Sequence, residues 1–268
     1  MGKYFISSDI EGVTDICHWD EATKQNPDYS QFQNIMINEV VAICESFKKT
    51  DKITVRDAHA SARNLVHERL PLNTELIRGF NGNPCCMMFG IDKSYDFSIL
   101  HGYHAAAGNG INPLAHTLSS KNIFETKLNG RVIGETTISI LTSNYFGVPM
   151  CYIAGDKGAV EEAQALNPNI IGTVTKYGEG SSTVSAHPLT IQNAIKKDLK
   201  QVIELFSKNK TACKVKLPKE FDFEITYKEH IKAYRCSFYP GAKLIRDNCV
   251  AFHTKDFMEL QRMLMFCT

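Results

Sequence analysis

A chain of 268 residues with 30 basic and 29 acidic side chains carries a formal net charge of +1, its nine histidines uncounted. That balance supplies no broad field for nucleic acid or an anionic membrane, and 43% apolar with 22% charged residues excludes disorder, collagen-like repeats and small disulfide scaffolds. Nine cysteines form an odd set without recurring short spacing, and they read as small buried apolar residues of a reducing compartment. No stretch approaches the roughly 20 apolar residues that cross a bilayer. The N-terminus, MGKYFISSDIEG, has no apolar run of signal-peptide length, which points to a cytoplasmic protein.

Short β-type runs then alternate with segments of helical spacing. Lys3–Ser7 reads as a strand, and Ser30–Phe47 as a helix with Phe32, Ile35, Met36, Val40, Ile43 and Phe47 on one stripe and Ser30 as cap. Lys52–Arg56 and Asp96–His101 are further strands. Asn129-Gly130 is a two-residue turn signal inside a hairpin over Ile123–Ile133, and a helix comes next over Glu135–Tyr145. Val148–Ile153 is a strand leading through Gly155 into a helix at Lys157–Leu166, and Leu189–Phe206 is a longer helix. Strands separated by helices predict an α/β fold with a parallel, Rossmann-like sheet between two helical layers. After Thr211 the pattern becomes strand (Phe221–Tyr227), strand (Ile231–Phe238), strand (Lys243–Phe252) and helix (Asp256–Phe266). This predicts a smaller α+β C-terminal domain, with residues 1–188 as the larger domain and 189–268 as the smaller.

The residues just past each strand carry the chemistry. FIS runs into SDIEG, KITVR into DAH, and DFSIL into HGYH. The carboxyl ends of parallel strands form the ligand crevice of such a sheet, so Asp9, Glu11, His59 and His104 can converge there. In extended backbone Asp9 and Glu11 share a face, and Gly12 lets the chain turn sharply or approach a ligand closely. Two carboxylates aimed at one place repel unless a cation or proton lies between them. Taken singly, these acids read as solvated loop residues, and His59, His104 and His116 as hydrogen-bonded loop histidines. Glu135 taken alone reads as a first-turn acid favoured by the helix dipole. Together they suit zinc, with manganese or cobalt as substitutes, and five ligands fit a pair of metals about 3.5–4 Å apart better than one tetrahedral ion. Cys85-Cys86 beside Met87-Met88 reads as a packed apolar segment, leaving the cysteines outside the site. His101 reads as a neighbour of His104, and Trp19 with His18 as a candidate pocket wall.

The order SSDIEG, DAH, GYHA, AHT (Ala115–Thr117) and NGRVIGE (Asn129–Glu135) resembles the D-aminopeptidase family of dinuclear zinc peptidases, whose signature is S-x-D-x-E-G. AGDK (Ala154–Lys157) and the stretch from PGAKLI to KDFMELQRML resemble its later segments. The resemblance implies two zinc ions per subunit held by Asp9, Glu11, His59, His104 and Glu135, a catalytic role for His116, and short peptides with an N-terminal D-residue as substrates. It further implies a ring-shaped homodecamer. AGDK departs from the AGDD usual in the family, which leaves the role of Asp156 and the surroundings of Lys157 open. Three other functions compete: a dinuclear-metal amidase or esterase of other specificity, a non-catalytic dipeptide-binding protein, and a metal-stabilised structural subunit. Carboxylate-rich sites at a sheet crevice leave room for water, which favours catalysis over structure.

Overall fold

The computed structural model describes residues 1–268. In chain order its elements are β1 (Lys3–Ser8), α1 (Trp19–Ala22), α2 (Tyr29–Cys44), β2 (Lys52–Asp57), β3 (Thr74–Ile77), β4 (Phe97–Tyr103), β5 (Ile123–Leu128), β6 (Arg131–Val132), α3 (Glu135–Tyr145), β7 (Met150–Gly155) and α4 (Lys157–Leu166). Then come β8 (Ile171–Val174), β9 (Lys176–Glu179), β10 (Ser182–Ser185), α5 (Pro188–Lys208), β11 (Phe221–Tyr227), α6 (His230–Cys236), β12 (Ala242–Arg246), β13 (Cys249–Thr254) and α7 (Phe257–Cys267).

Six strands form one parallel sheet in the order β3-β2-β1-β4-β7-β8. The central strands β4 and β7 are buried along their whole length, as their apolar runs require. Chain order runs outward in both directions from β1 and β4, so the topology reverses between them. The right-handed rule for parallel crossovers puts α2 on one face and α3 and α4 on the other, in keeping with the packing of α3 on α4 and of α2 on α5. α5 packs beside α2 through Ile191, Ile195, Leu199 and Val202, all buried in the larger apolar core. The parallel α/β layer expected from the sequence is therefore present.

A second, antiparallel sheet runs β12-β13-β11-β5-β6 and carries its own core, closed by α7. The two cores do not part at residue 188. β5 comes from before that point and pairs with β11, while α5, from after it, packs on the parallel sheet. Strand pairing is non-local, and no linker composition records this exchange.

Two elements differ from expectation. Ile231–Phe238 lies mostly in a helix: Ala233 and Cys236 face inward at helical spacing, while Ile231, Tyr234 and Phe238 are exposed and give the segment a strand-like apolar content. Lys243–Phe252 is a hairpin, because Arg246 pairs with Cys249 across a turn. The edge strands β3 and β8 are four residues each, too short for a legible period. Ser30 lies inside α2 and does not cap it. Cys236 and Cys267 are joined as a disulfide that ties α6 to α7, so the cysteines are not all plain apolar residues.

Candidate metal centre and catalytic cavity

The site stands at the carboxyl ends of β1, β2 and β4, where the strand order reverses. Leaving β1, the chain stays fastened to β4: Asp9 N donates to His101 O (2.8 Å) and Gly12 N to Gly102 O (2.7 Å). A Cβ on Gly12 would come within 1.7 Å of the Tyr103 carbonyl oxygen, and one on Gly102, at φ +67°, within 2.1 Å of the Asp9 carbonyl. Gly12 thus permits close approach to the chain's own backbone, not to a ligand as the motif suggested. Both signature serines are anchors. Ser7 Oγ lies 2.8 Å from both Met87 O and Tyr103 Oη, and Ser8 Oγ lies 2.8 Å from His101 Nδ1. His101 turns away from His104 and pairs through Nε2 with the buried Glu39, 2.9 Å away.

Each remaining site residue is held by a buried polar partner. Asp57 accepts from Leu65 N (2.7 Å) and Asn64 Nδ2 (2.8 Å), and Asn64 Nδ2 also donates to His59 O (2.7 Å), which fixes the His59 loop. Asp156 caps α4 through Ala159 N (2.8 Å) and accepts from Ala105 N (2.7 Å) and Asn112 Nδ2 (2.6 Å), so it holds the backbone next to His104. Its neighbour Lys157 is exposed and faces Glu161 at 3.8 Å. Glu135 opens α3, whose first turn donates to Glu162 through Gly134 N (2.8 Å) and Thr137 N (3.0 Å).

All six residues singled out by the sequence come together. His59 Nδ1 lies 3.2 Å from Asp9 Oδ1 and 3.0 Å from Glu11 Oε2. His104 Nε2 lies 3.7 Å from Asp9 Oδ2 and 3.6 Å from Glu135 Oε1, which is also 3.6 Å from His116 Nε2. The opposite ring nitrogens meet backbone carbonyls: His59 Nε2 at Ala22 O (2.8 Å), His104 Nδ1 at Ala105 O (3.0 Å) and His116 Nδ1 at Leu114 O (3.0 Å). A carbonyl only accepts, so each of those nitrogens carries the hydrogen, and in a neutral ring the other bears a lone pair. Three lone pairs therefore face three buried carboxylates, an arrangement that only protons or a cation can reconcile. His104 Nε2 is buried and has no hydrogen-bond partner.

Without a cation, protons take its place. Burial and the neighbouring Glu11 raise the Asp9 carboxyl well above its ordinary range. For Glu11 burial pushes the same way, but His59 outweighs it and holds the carboxyl well below its usual value. Burial lowers His104, yet Glu135, Glu11 and Asp9 prevail and lift it to about 9. His116 is lowered by burial and by His104, whose ring stacks on it at 4.1 Å, so it is neutral at neutral pH. Two overlapping groups, Asp9–Glu11–His104 and His104–His116–Glu135, each bring three ligand atoms within 4.8 Å of one another, and either could hold a divalent ion.

Comparison with known proteins supplies the family. The sequence model of the D-aminopeptidase peptidases matches residues 2–266. The chain belongs to the D-aminopeptidase family. It is 25% identical over 273 residues to a D-aminopeptidase of Bacillus subtilis, with 99% of this chain and 96% of the relative covered. The fold of the zinc-dependent D-aminopeptidase DppA from Bacillus subtilis, described as a self-compartmentalizing protease, superposes with a TM-score of 0.91 at 23% identity, covering 99% of this chain and 96% of that one.

In this D-aminopeptidase family member Asp9, Glu11, His59, His116 and Glu135 line an open cavity of about 560 Å³, with His104 buried behind them. Trp19 lines it edge-on to His116, ring centroids 5.2 Å apart, whereas His18 caps α1 and is exposed. Cys86 also lines the cavity, which corrects the expectation that every cysteine lies outside the site. Asn64, Asn112 and Glu162 escaped the sequence reading, because an amide or carboxylate that positions other groups through scattered hydrogen bonds leaves no motif. No helix of the chain is long and apolar enough to cross a membrane.

Proposed function

We propose that this aminopeptidase removes N-terminal D-residues from short peptides, using two zinc ions held by Asp9, Glu11, His59, His104 and Glu135, with His116 as the catalytic histidine. The observation that carries the reading is the set of three histidine ring nitrogens turned onto three buried carboxylates. Oxygen and nitrogen donors without thiolate, beside an open cavity, suit a catalytic zinc site, and the zinc dependence of DppA is in keeping with that choice. When bound, zinc supplies Lewis acidity toward the scissile carbonyl and a source of hydroxide at neutral pH. His116 is neutral and its Nε2 faces the cavity base, so it takes up a proton there and returns it to the leaving amine. Asp156 and Glu162 act through His104 and Glu135 by fixing the backbone that carries them.

The test is metal content together with rates on paired D- and L-alanine anilides, a simple ester and a phosphate ester, each with and without chelator. The expected outcome is two zinc ions per chain and chelator-sensitive hydrolysis of the D-anilide. Turnover of the phosphate ester alone, or rates indifferent to chelator, overturns the reading. We also propose a ring-shaped homodecamer working in the cytoplasm. The self-compartmentalizing character of DppA is in keeping with the ring, and light scattering of the purified protein reads the assembly directly.

A further inference from the structure

Glu135, Ile138, Ser139 and Thr142 occupy one face of α3, at steps of three and four residues, and all four line a second cavity of about 220 Å³. Phe80, Cys86, Met87, Leu118 and Glu135 line both this cavity and the larger one, so the two share a wall at the metal centre. The far side is walled by Leu264 of α7, a residue of the other core, with the exposed Met265 at the rim.

Most polar groups of this side cavity are already paired. Ser139 Oγ is 3.0 Å from Tyr103 Oη, Thr142 Oγ1 donates to Ile138 O (2.7 Å) and accepts from Gln261 Nε2 (2.8 Å), and Asn83 Oδ1 accepts from Cys85 N (2.9 Å). Its one charge, Glu135, is at the metal end. An occupant therefore meets mainly apolar surface, with one free amide atom each on Asn83 and Gln261. The larger cavity, by contrast, is open and carries Lys24 and Lys121.

We propose that the side cavity receives the side chain of the substrate's N-terminal residue and that it selects large apolar residues, such as leucine or phenylalanine, over alanine. This rests on the aminopeptidase reading given above. A cavity that ends against α7 admits a side chain but no continuing peptide, whereas the open, lysine-bearing cavity accommodates the rest of the chain and its carboxylate. A group hanging from the carbon next to the scissile carbonyl is the one that meets the shared wall. One water occupies about 30 Å³ in the liquid, so a single methyl group leaves most of 220 Å³ unfilled and forfeits the contacts.

The experiment measures kcat/KM on amides that differ only in the first residue, alanine, leucine or phenylalanine, in both hands. The leucine amide of the hydrolysed hand should exceed the alanine amide by about tenfold or more. Met265→Trp fills the rim, and the leucine-to-alanine ratio should fall by about tenfold. Ile138→Ala enlarges the cavity, and the phenylalanine-to-leucine ratio should rise. A flat series in an active enzyme, or ratios indifferent to both variants with melting unchanged, overturns the proposal alone. A dependence that appears only when the second residue is varied also overturns it. A protein that hydrolyses no amide of either hand overturns the aminopeptidase reading, and the proposal with it.

Discussion

Asp156 gathers two backbone donors and a side chain, since Ala159 N, Ala105 N and Asn112 Nδ2 all end on its carboxylate. Asp156→Ala should cost about 2–4 kcal/mol through the lost cap and the orphaned amides, and weaken metal binding through His104. A melting curve and a metal titration check both. His116 and Glu11 separate chemistry from ligation. His116→Ala is expected to keep close to two metals per chain while turnover falls by about 10²–10⁴, whereas Glu11→Ala should lose metal; metal analysis beside rate measurement distinguishes them. Because His116 is lowered, the acid limb of kcat should set in below the ordinary histidine value of about 6.5. A limb well above that value would assign the proton transfer elsewhere.

Beneath the site, β1, β4 and α2 are joined by Ser8, His101 and Glu39, with Glu39 Oε1 also accepting from Thr14 N at 3.2 Å. The order resembles a serine–histidine–carboxylate relay, but Ser8, His101 and Glu39 all have 0% exposure, so no substrate reaches the serine. Its work is structural: it sets the height at which Asp9 leaves β1. Glu39→Ala strands a buried imidazole and is expected to cost about 3–5 kcal/mol, measured by denaturant unfolding. Gly12→Ala should be worse tolerated than any surface change, because the new Cβ meets backbone that cannot swing aside. Soluble, fully active Gly12→Ala protein would show that the β1–β4 crossing relaxes.

The two cores share α3, which gives Ile140 to one and Leu141 to the other, so they stand or fall together. A fragment of residues 189–268 lacks the strand that pairs with β11 and carries α5 away from the sheet it covers. Expressed alone, it should show no cooperative melting. The metal centre couples the whole molecule to pH. Folded His104 and Asp9 are both raised above their unfolded values, so the metal-free fold binds more protons than the unfolded chain. His104 therefore contributes stability that is complete below about 6.5 and is lost as pH rises through about 9. Calorimetry in chelator should show the melting temperature falling over that window, by about 2–4 °C per kcal/mol in a chain of this size. Divalent metal needs the deprotonated ligands, so the gain on adding zinc should grow over the same window. A metal-free melting temperature that rises instead would mean that unfolding takes protons up, and that Asp9 and His104 are not raised in the fold.

Much of this was legible in one dimension. The runs ending FISSDIEG, KITVRDAH and DFSILHGYH are strands trailed by polar groups, and a parallel sheet sends all such ends to one edge, so Asp9, Glu11, His59 and His104 could be named from order alone, while Glu135 and His116 gained their roles through the family resemblance. Asn129-Gly130 and the stripes of α3, α4 and α5 were equally local signals. Other features depend on partners distant in the chain: that β5 completes the sheet of β11, that Ile231–Phe238 is a helix, that Cys86 faces the site, and that His101 belongs to Glu39. Side-chain type and spacing determine which groups a strand end presents, because the backbone period is short and regular. Which nitrogen of each histidine faces the carboxylates, and what wall stands behind Glu135, is decided only when carbonyls and helices from far along the chain close around them.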